Sequence, residues 1–151
     1  MGVVAMSGND TIIINNRNIT DLAEGMCAKL TYSNDISQVK TGKNGNAIFA
    51  SNTMGLQADL ELRVVRGDSD DQFFNNLLSQ QNANFAGFPL MIGQFIKKIG
   101  DGKGNITSDT YITSGGVFTR QVDAESSVEG DTNQSVAVYK MKFSNAIRVL
   151  T

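Results

Sequence analysis

Gly55-Leu-Gln-Ala-Asp-Leu-Glu-Leu-Arg-Val-Val65 alternates apolar and polar side chains almost without fault. Leu56, Ala58, Leu60, Leu62 and Val64 fall on one side of an extended chain, and Gln57, Asp59, Glu61 and Arg63 on the other. A period of two is that of a strand with one face buried and the other hydrated. The period then changes. Beyond Arg66-Gly-Asp-Ser-Asp-Asp-Gln72 the apolar positions are Phe73, Phe74, Leu77 and Leu78, the spacing of one helix face. The helix is expected from about Ser69 to Gln81. Ser69 and Gln72 form a capping box, and Asp70 and Asp71 stand at the positive end of the dipole. A long strand with one charged face, followed by one short helix, predicts a mainly β protein whose polar face matters.

Working outward, Thr11 to Asn15 is a β-branched run and Asn16-Arg-Asn18 a turn, which reads as a first hairpin. Met26 to Tyr32 alternates again, with Met26, Ala28, Leu30 and Tyr32 on one face. Ser33 to Thr53 is different: polar, glycine-bearing and long for a connection inside a compact domain. It reads as a projecting hairpin with Ile36–Lys40 and Ala47–Ala50 as arms and Lys43-Asn-Gly45 as tip, the alternative being an irregular loop. Phe88 to Ile99 is an apolar strand region that ends in the tight turn Gly100-Asp-Gly-Lys-Gly-Asn105. Asp109–Thr113 and Val117–Val122 are expected to pair around Ser114-Gly-Gly116. Asp123 to Asp131 is an acidic loop, Gln134–Phe143 a long strand, and Ala146–Leu150 a further one. The sum is an antiparallel β-sandwich or barrel of about eight strands with one short flanking helix.

The chain has 151 residues, enough for one domain with a packed core, and its hydrophobic share of 40% argues against global disorder. No apolar run reaches the roughly 18 residues that cross a bilayer, so no membrane anchor is expected. The first residues lack the basic start of a secretory signal, and the one cysteine, Cys27, fits a reducing compartment. A net charge of −2 supplies no basic footprint for gripping phosphate.

Catalysis has little to stand on. There is no histidine for a triad or for zinc. Asp123 with Glu125, or Glu129 with Asp131, reads as solvated loop charge rather than an acid–base pair. A serine–lysine enzyme has no signature here. Gly100–Asn105 lacks phosphate-loop spacing and opens onto a strand. Arg66-Gly-Asp68 is explained as a bend before a helix, and the Asn9, Asn18 and Asn105 sequons carry no weight without a signal. Phe73, Phe74, Phe85, Phe88 and Phe95 sit in apolar settings and read as core or interface, not as a stacking platform for bases. No catalytic residue, metal or cofactor is expected.

Four stretches, taken in order and spacing, carry a resemblance: Arg66-Gly-Asp-Ser-Asp-Asp-Gln-Phe-Phe-Asn-Asn-Leu-Leu78, Gly93-Gln-Phe-Ile-Lys-Lys-Ile-Gly-Asp-Gly-Lys-Gly-Asn105, Thr110-Tyr-Ile-Thr-Ser-Gly-Gly-Val-Phe118 and Glu129-Gly-Asp-Thr-Asn-Gln-Ser-Val-Ala-Val-Tyr139. Together they resemble the tail tube proteins of long-tailed bacteriophages, those with contractile tails in particular. The resemblance implies one tail-tube domain over residues 1–151. It implies hexameric rings whose inner sheets join around a channel, and stacking of those rings into a tube through which DNA passes without specific binding. Sheath, tape-measure, baseplate and tail-terminator proteins would be the other partners. The place would be the virion tail, assembled in the bacterial host cytoplasm. Tubes of tailocins and type VI secretion systems share the fold and are the alternative. A carbohydrate- or protein-binding β-sandwich module is the alternative of another class.

The same resemblance places a loop that reaches the neighbouring ring at Ser33–Thr53, which makes Asn34, Asp35, Lys40, Lys43, Asn44 and Asn46 the candidates for contact between rings. A channel along which phosphate slides should be polar and not net basic. The 55–65 strand sets two acids against one base, so Gln57, Asp59, Glu61 and Arg63 are expected to line it, unless they pair with a neighbouring subunit.

Overall fold

The computed structural model describes residues 2–6, 10–23, 25–53, 55–124, 126 and 135–151. Among them the elements run β1 (Ala5–Met6), β2 (Thr11–Ile14), β3 (Arg17–Asn18), β4 (Ala28–Tyr32), β5 (Ser37–Thr41), β6 (Ala47–Ser51), β7 (Ala58–Val65), α1 (Ser69–Ala83), β8 (Met91–Gly100), β9 (Ile106–Phe118) and β10 (Val136–Leu150). The protein is mainly β and antiparallel, with one flanking helix. Eight strands form one sheet in the order β3-β2-β8-β9-β10-β7-β4, with β1 also on β8. β5 and β6 make a separate two-stranded sheet.

Two layers arise because β10 changes partner along its length. Val136–Phe143 pairs with β7, and Met141–Leu150 pairs with β9. The sheet folds over there, so that Ile12, Ile14 and Met91 of one layer join Leu60, Leu62, Val64 and Tyr139 of the other in a single buried cluster. Residues 19–23 close one corner. The Ile19 N–H donates to the Ile12 carbonyl, and then the Ala23 N–H donates to Arg63 and the Val65 N–H to Asp21. The alternation of β7 is realised in full, with Ala58, Leu60, Leu62 and Val64 buried. Leu56 departs from it: it lies in the turn before the strand, 44% exposed, and its carbonyl accepts the Ala146 N–H. Met26 likewise falls short of β4 and is exposed. The β2–β3 turn places Asn15 and Asn16 at φ 50° and 66°, the left-handed pair of a type I′ hairpin.

Two expected breaks are absent. Ser114-Gly-Gly116 does not turn the chain, and Ser144-Asn145 does not end a strand; β9 and β10 run straight through both. The glycines serve a bulge instead. Between Met91↔Gly116 and Gly93↔Thr113 the register of β9 on β8 shifts by one, and Gly115 there takes φ 66°. The extra residue switches the buried parity of β9 from Asp109 and Thr113 to Gly116 and Phe118. Gly93 opposite it is equally constrained. A Cβ there would lie 2.8 Å from Thr113 Oγ1 and 2.9 Å from Ile14 Cδ1. Gly93→Ala is therefore expected to destabilise the fold by about 1–3 kcal/mol, read from urea midpoints; an unchanged midpoint would contradict this packing.

The helix starts differently from its expected capping box. Asp68 is the N-cap, without a side-chain capping bond. Ser69 sits one position too far in, and its hydroxyl donates to Asp21 Oδ2 at 2.9 Å. Gln72 Nε2 donates to the Gly67 carbonyl, and Asp71 Oδ2 accepts the Gly67 N–H. The buried stripe is Asp70, Phe74, Leu78 and Gln81. Phe73 and Leu77 flank it, partly buried. Phe74 packs 5.2 Å from the Tyr139 ring and 6.5 Å from Phe118. Gln81 completes the end of β9, accepting the Phe118 N–H at 2.8 Å and donating to its carbonyl at 2.9 Å. Tyr139, its hydroxyl donating to Asp71, has its pKa raised by burial and by that carboxylate.

Candidate assembly surfaces

Three exposed surfaces stand out, and none resembles a catalytic centre. No group of three or more acids and cysteines that could hold a metal occurs among the described residues. Glu125, Glu129 and Asp131 of the acidic loop, like Asn9, lie outside the described residues. A cleft of about 220 Å³ opens where the layers part, floored by Ile12, Leu30, Leu60 and Phe95. Its rim acids are already paired. Lys97 Nζ lies 2.6 Å from Asp10, and Arg148 holds Asp109 bidentately at 2.8 and 3.0 Å. The Arg148 hydrogen bond keeps the Asp109 carboxyl below its ordinary pKa, so it stays an ion-pair partner and does not act as a proton donor near neutrality. Among the described residues no helix is long and apolar enough to cross a membrane.

The first surface is the outer face of β4, β7 and the first half of β10. Asp59 is exposed on it, Gln57, Glu61 and Arg63 half-buried, with Arg63 Nε 3.6 Å from Glu61. Cross-strand register adds what the strand alone hides. Glu61 lies between Lys29 and Lys140, and Asp59 between Thr31 and Lys142. Lys29, Lys140, Lys142 and Arg63 thus outnumber the two acids. The expectation of an acid-dominated wall is overturned, because residues paired across a sheet share its face.

The second surface is the outer face of β2, β8, β9 and the second half of β10. Two cross-strand rows cover it, Ile13–Gln94–Ile112–Ile147 and Thr11–Ile96–Thr110–Val149. Neither row carries a charge; Lys98, exposed on the same side of β8, stands in the next row opposite Ser108. Ile92, Ile112, Ile147 and Val149 are 39–48% exposed. Sequence reading missed this face, because Ser114-Gly-Gly116 disguised β9 as two short strands.

The third surface is the β5–β6 hairpin. Every one of its strand residues is exposed, including the cross-strand pair Val39 and Phe49 at 63% and 76%. Lys40 lies on β5, and Lys43, Asn44 and Asn46 form the tip, where the Gly42 N–H donates to the Asn46 carbonyl. Asp35 is exposed at the root. Asn34 is turned elsewhere, its amide donating to Gln57 Oε1 at 3.4 Å, so it braces the root and joins the hairpin to β7. The structure thus gathers five of the six expected contact residues on one projection, while the sixth, Asn34, reaches Gln57 beside the β7 face.

No family model and no curated protein matches the chain. Solved structures do. One chain from the cryo-EM structure of an extracellular contractile injection system, the PVC sheath–tube complex in the extended state, superposes with a TM-score of 0.57. The match covers 94% of this chain and 87% of that one at 10% identity. A chain from the PVC sheath/tube terminator in the extended state gives 0.55, covering 95% and 94% at 9% identity. The fold is therefore that of components of contractile injection systems.

Proposed function

We propose that this chain is the tube subunit of a contractile tail, a structural protein without chemistry of its own. Copies join into hexameric rings, the rings stack, and the tube conducts DNA from a phage virion, assembled in the host cytoplasm. Sheath, tape-measure, baseplate and terminator proteins are its other partners. The observation that carries this reading is the match, over nearly the whole chain, to a component of a sheath–tube complex. Two features support it. Among the described residues β4 is paired on one side only, with β7, leaving a sheet edge that another copy can extend. The hairpin stands clear of the sandwich, available for contact between rings. The β4–β7–β10 face lines the channel in this proposal, since a water-filled bore suits a charged wall better than an isoleucine one. Four bases against two acids depart from the charge balance expected of a surface along which phosphate slides, so DNA transit along this wall is expected to be slower at low salt than at high.

Negative-stain microscopy of concentrated protein tests the reading. Hollow rods or stacked rings are expected, with Asp59, Glu61 and Lys140 turned toward the axis after high-resolution averaging. Persistent compact monomers that bind a glycan or turn over a substrate would overturn it; rods with that face outward would overturn only the channel assignment. The named neighbours favour one second reading, in which the tube belongs to an injection system and not to a phage.

A further inference from the structure

We infer that the two uncharged rows on the outer face of β2, β8, β9 and the second half of β10 receive the β5–β6 hairpin of a second copy of this chain. The inference rests on the stacking reading above and names the surface that takes the hairpin. A two-stranded hairpin is marginal in water and needs a third layer to pack on. This one shows Val39 and Phe49 side by side with Ser37, Thr41, Ala47 and Ser51, a face with no charge at all. It leaves the sandwich beside Ala146, whose N–H bonds to Leu56. The first of the uncharged rows begins there with Ile147, yet the chain's own hairpin does not lie over it, for its strand residues are all exposed.

Charge selects the receiver. Laying an apolar hairpin on the β4–β7–β10 face would desolvate Lys29, Lys140 and Lys142, none of which has a carboxylate within 4.0 Å among the described residues. The two central rows of the isoleucine face have no such cost, since Lys98 lies outside them; they match the hairpin in kind, isoleucine and valine interleaved with threonine and glutamine. Each copy then carries one knob and one receiving surface, and these differ. Such a heterologous contact does not close on a pair; it propagates from copy to copy.

Three proteins made in a Cys27→Ser background decide the matter. Phe49→Cys combined with Ile112→Cys is expected to give disulfide-linked chains of copies on mild oxidation of rods. Ile112→Asp with Ile147→Asp is expected to leave the thermal midpoint of the isolated subunit within a few degrees. The concentration needed for rods should rise at least about tenfold, as loss of one good apolar contact implies. Removal of residues 36–51 should abolish stacking. Rods from the aspartate variant at the ordinary concentration, without a Phe49–Ile112 link, overturn the inference while the stacking reading survives. Cross-linking of Ile112→Cys to itself alone also overturns it, since the face then meets its own copy. Rods without residues 36–51 overturn both. Should the aspartates unfold the subunit, Ile112→Ser with Ile147→Ser and the cross-link carry the same test.

Discussion

Replacing Phe74 by alanine is expected to remove about 3–5 kcal/mol of stability, a large fraction of the roughly 5–15 kcal/mol that a domain of this size possesses. The ring is fully buried at the point where the helix meets both layers. It touches Tyr139 and Phe118 edge-on or tilted, and Phe73 at 5.3 Å stacks beneath the Arg17 guanidinium. Truncation leaves a cavity that neighbouring strands cannot close, because β7, β9 and β10 are locked in register around it. Urea unfolding of the unassembled subunit measures the loss. A cost below about 1 kcal/mol would mean that the helix is not seated on the aromatic cluster.

Asp70→Ala is expected to be comparably severe. Asp70 is buried in the first turn of the helix, and its two oxygens take the Arg17 Nε–H at 2.9 Å and the N–H groups of Thr20 and Asp21 at 2.8 and 2.7 Å. Those N–H groups belong to the stretch that closes the corner between layers. Alanine leaves them unpaired and the guanidinium without its counter-charge, at about 3–5 kcal/mol. Asp70→Asn separates charge from shape. Burial alone would raise the Asp70 pKa, but the Asp21 N–H, the Arg17 guanidinium and the Thr20 N–H together hold it below the ordinary 3.8. The carboxylate's contribution is therefore complete above about pH 4 and fades as pH falls through its lower folded value. The stability gap between wild type and Asp70→Asn should narrow in that acid range. A gap that stays constant down to pH 2 would show that the charge contributes nothing.

The reading of β7 from sequence succeeded because each of its two faces has a single environment, so polarity alternates in the chain as it does in space. The helix was legible for the same reason, yet its two most telling positions were not. Asp70 and Gln81 lie on the stripe of Phe74 and Leu78, and polar residues on a buried stripe signal partners in waiting; the partners themselves, Thr20, Asp21 and Phe118, are far away in sequence. β9 and β10 were misread because Gly115 and Gly116 look identical in a turn and in a bulge. The register shift on β8 and the close approach of Phe143 to where a Gly116 Cβ would stand tell the two apart. The charge of the β7 face was invisible for a different reason. Lys29, Lys140 and Lys142 reach it through strand pairing, which no local window contains. The Ser33–Thr53 segment reads from its own residues as a hairpin with arms Ile36–Lys40 and Ala47–Ala50, and β5 and β6 pair there; the uncharged face of that hairpin was not legible, because every strand residue is exposed.

The shared strand β10 has a mechanical corollary. A force directed along it passes from the β7 ladder of its first half to the β9 ladder of its second, and the whole strand slips only when both have sheared. Ordinary stacked sheets can be peeled from a free margin, but these two are spliced by a continuous length of main chain. A subunit driven lengthwise would be stiff through its body and would yield first at the slender neck of Ser33 and Asn52, where the hairpin is tied to the rest.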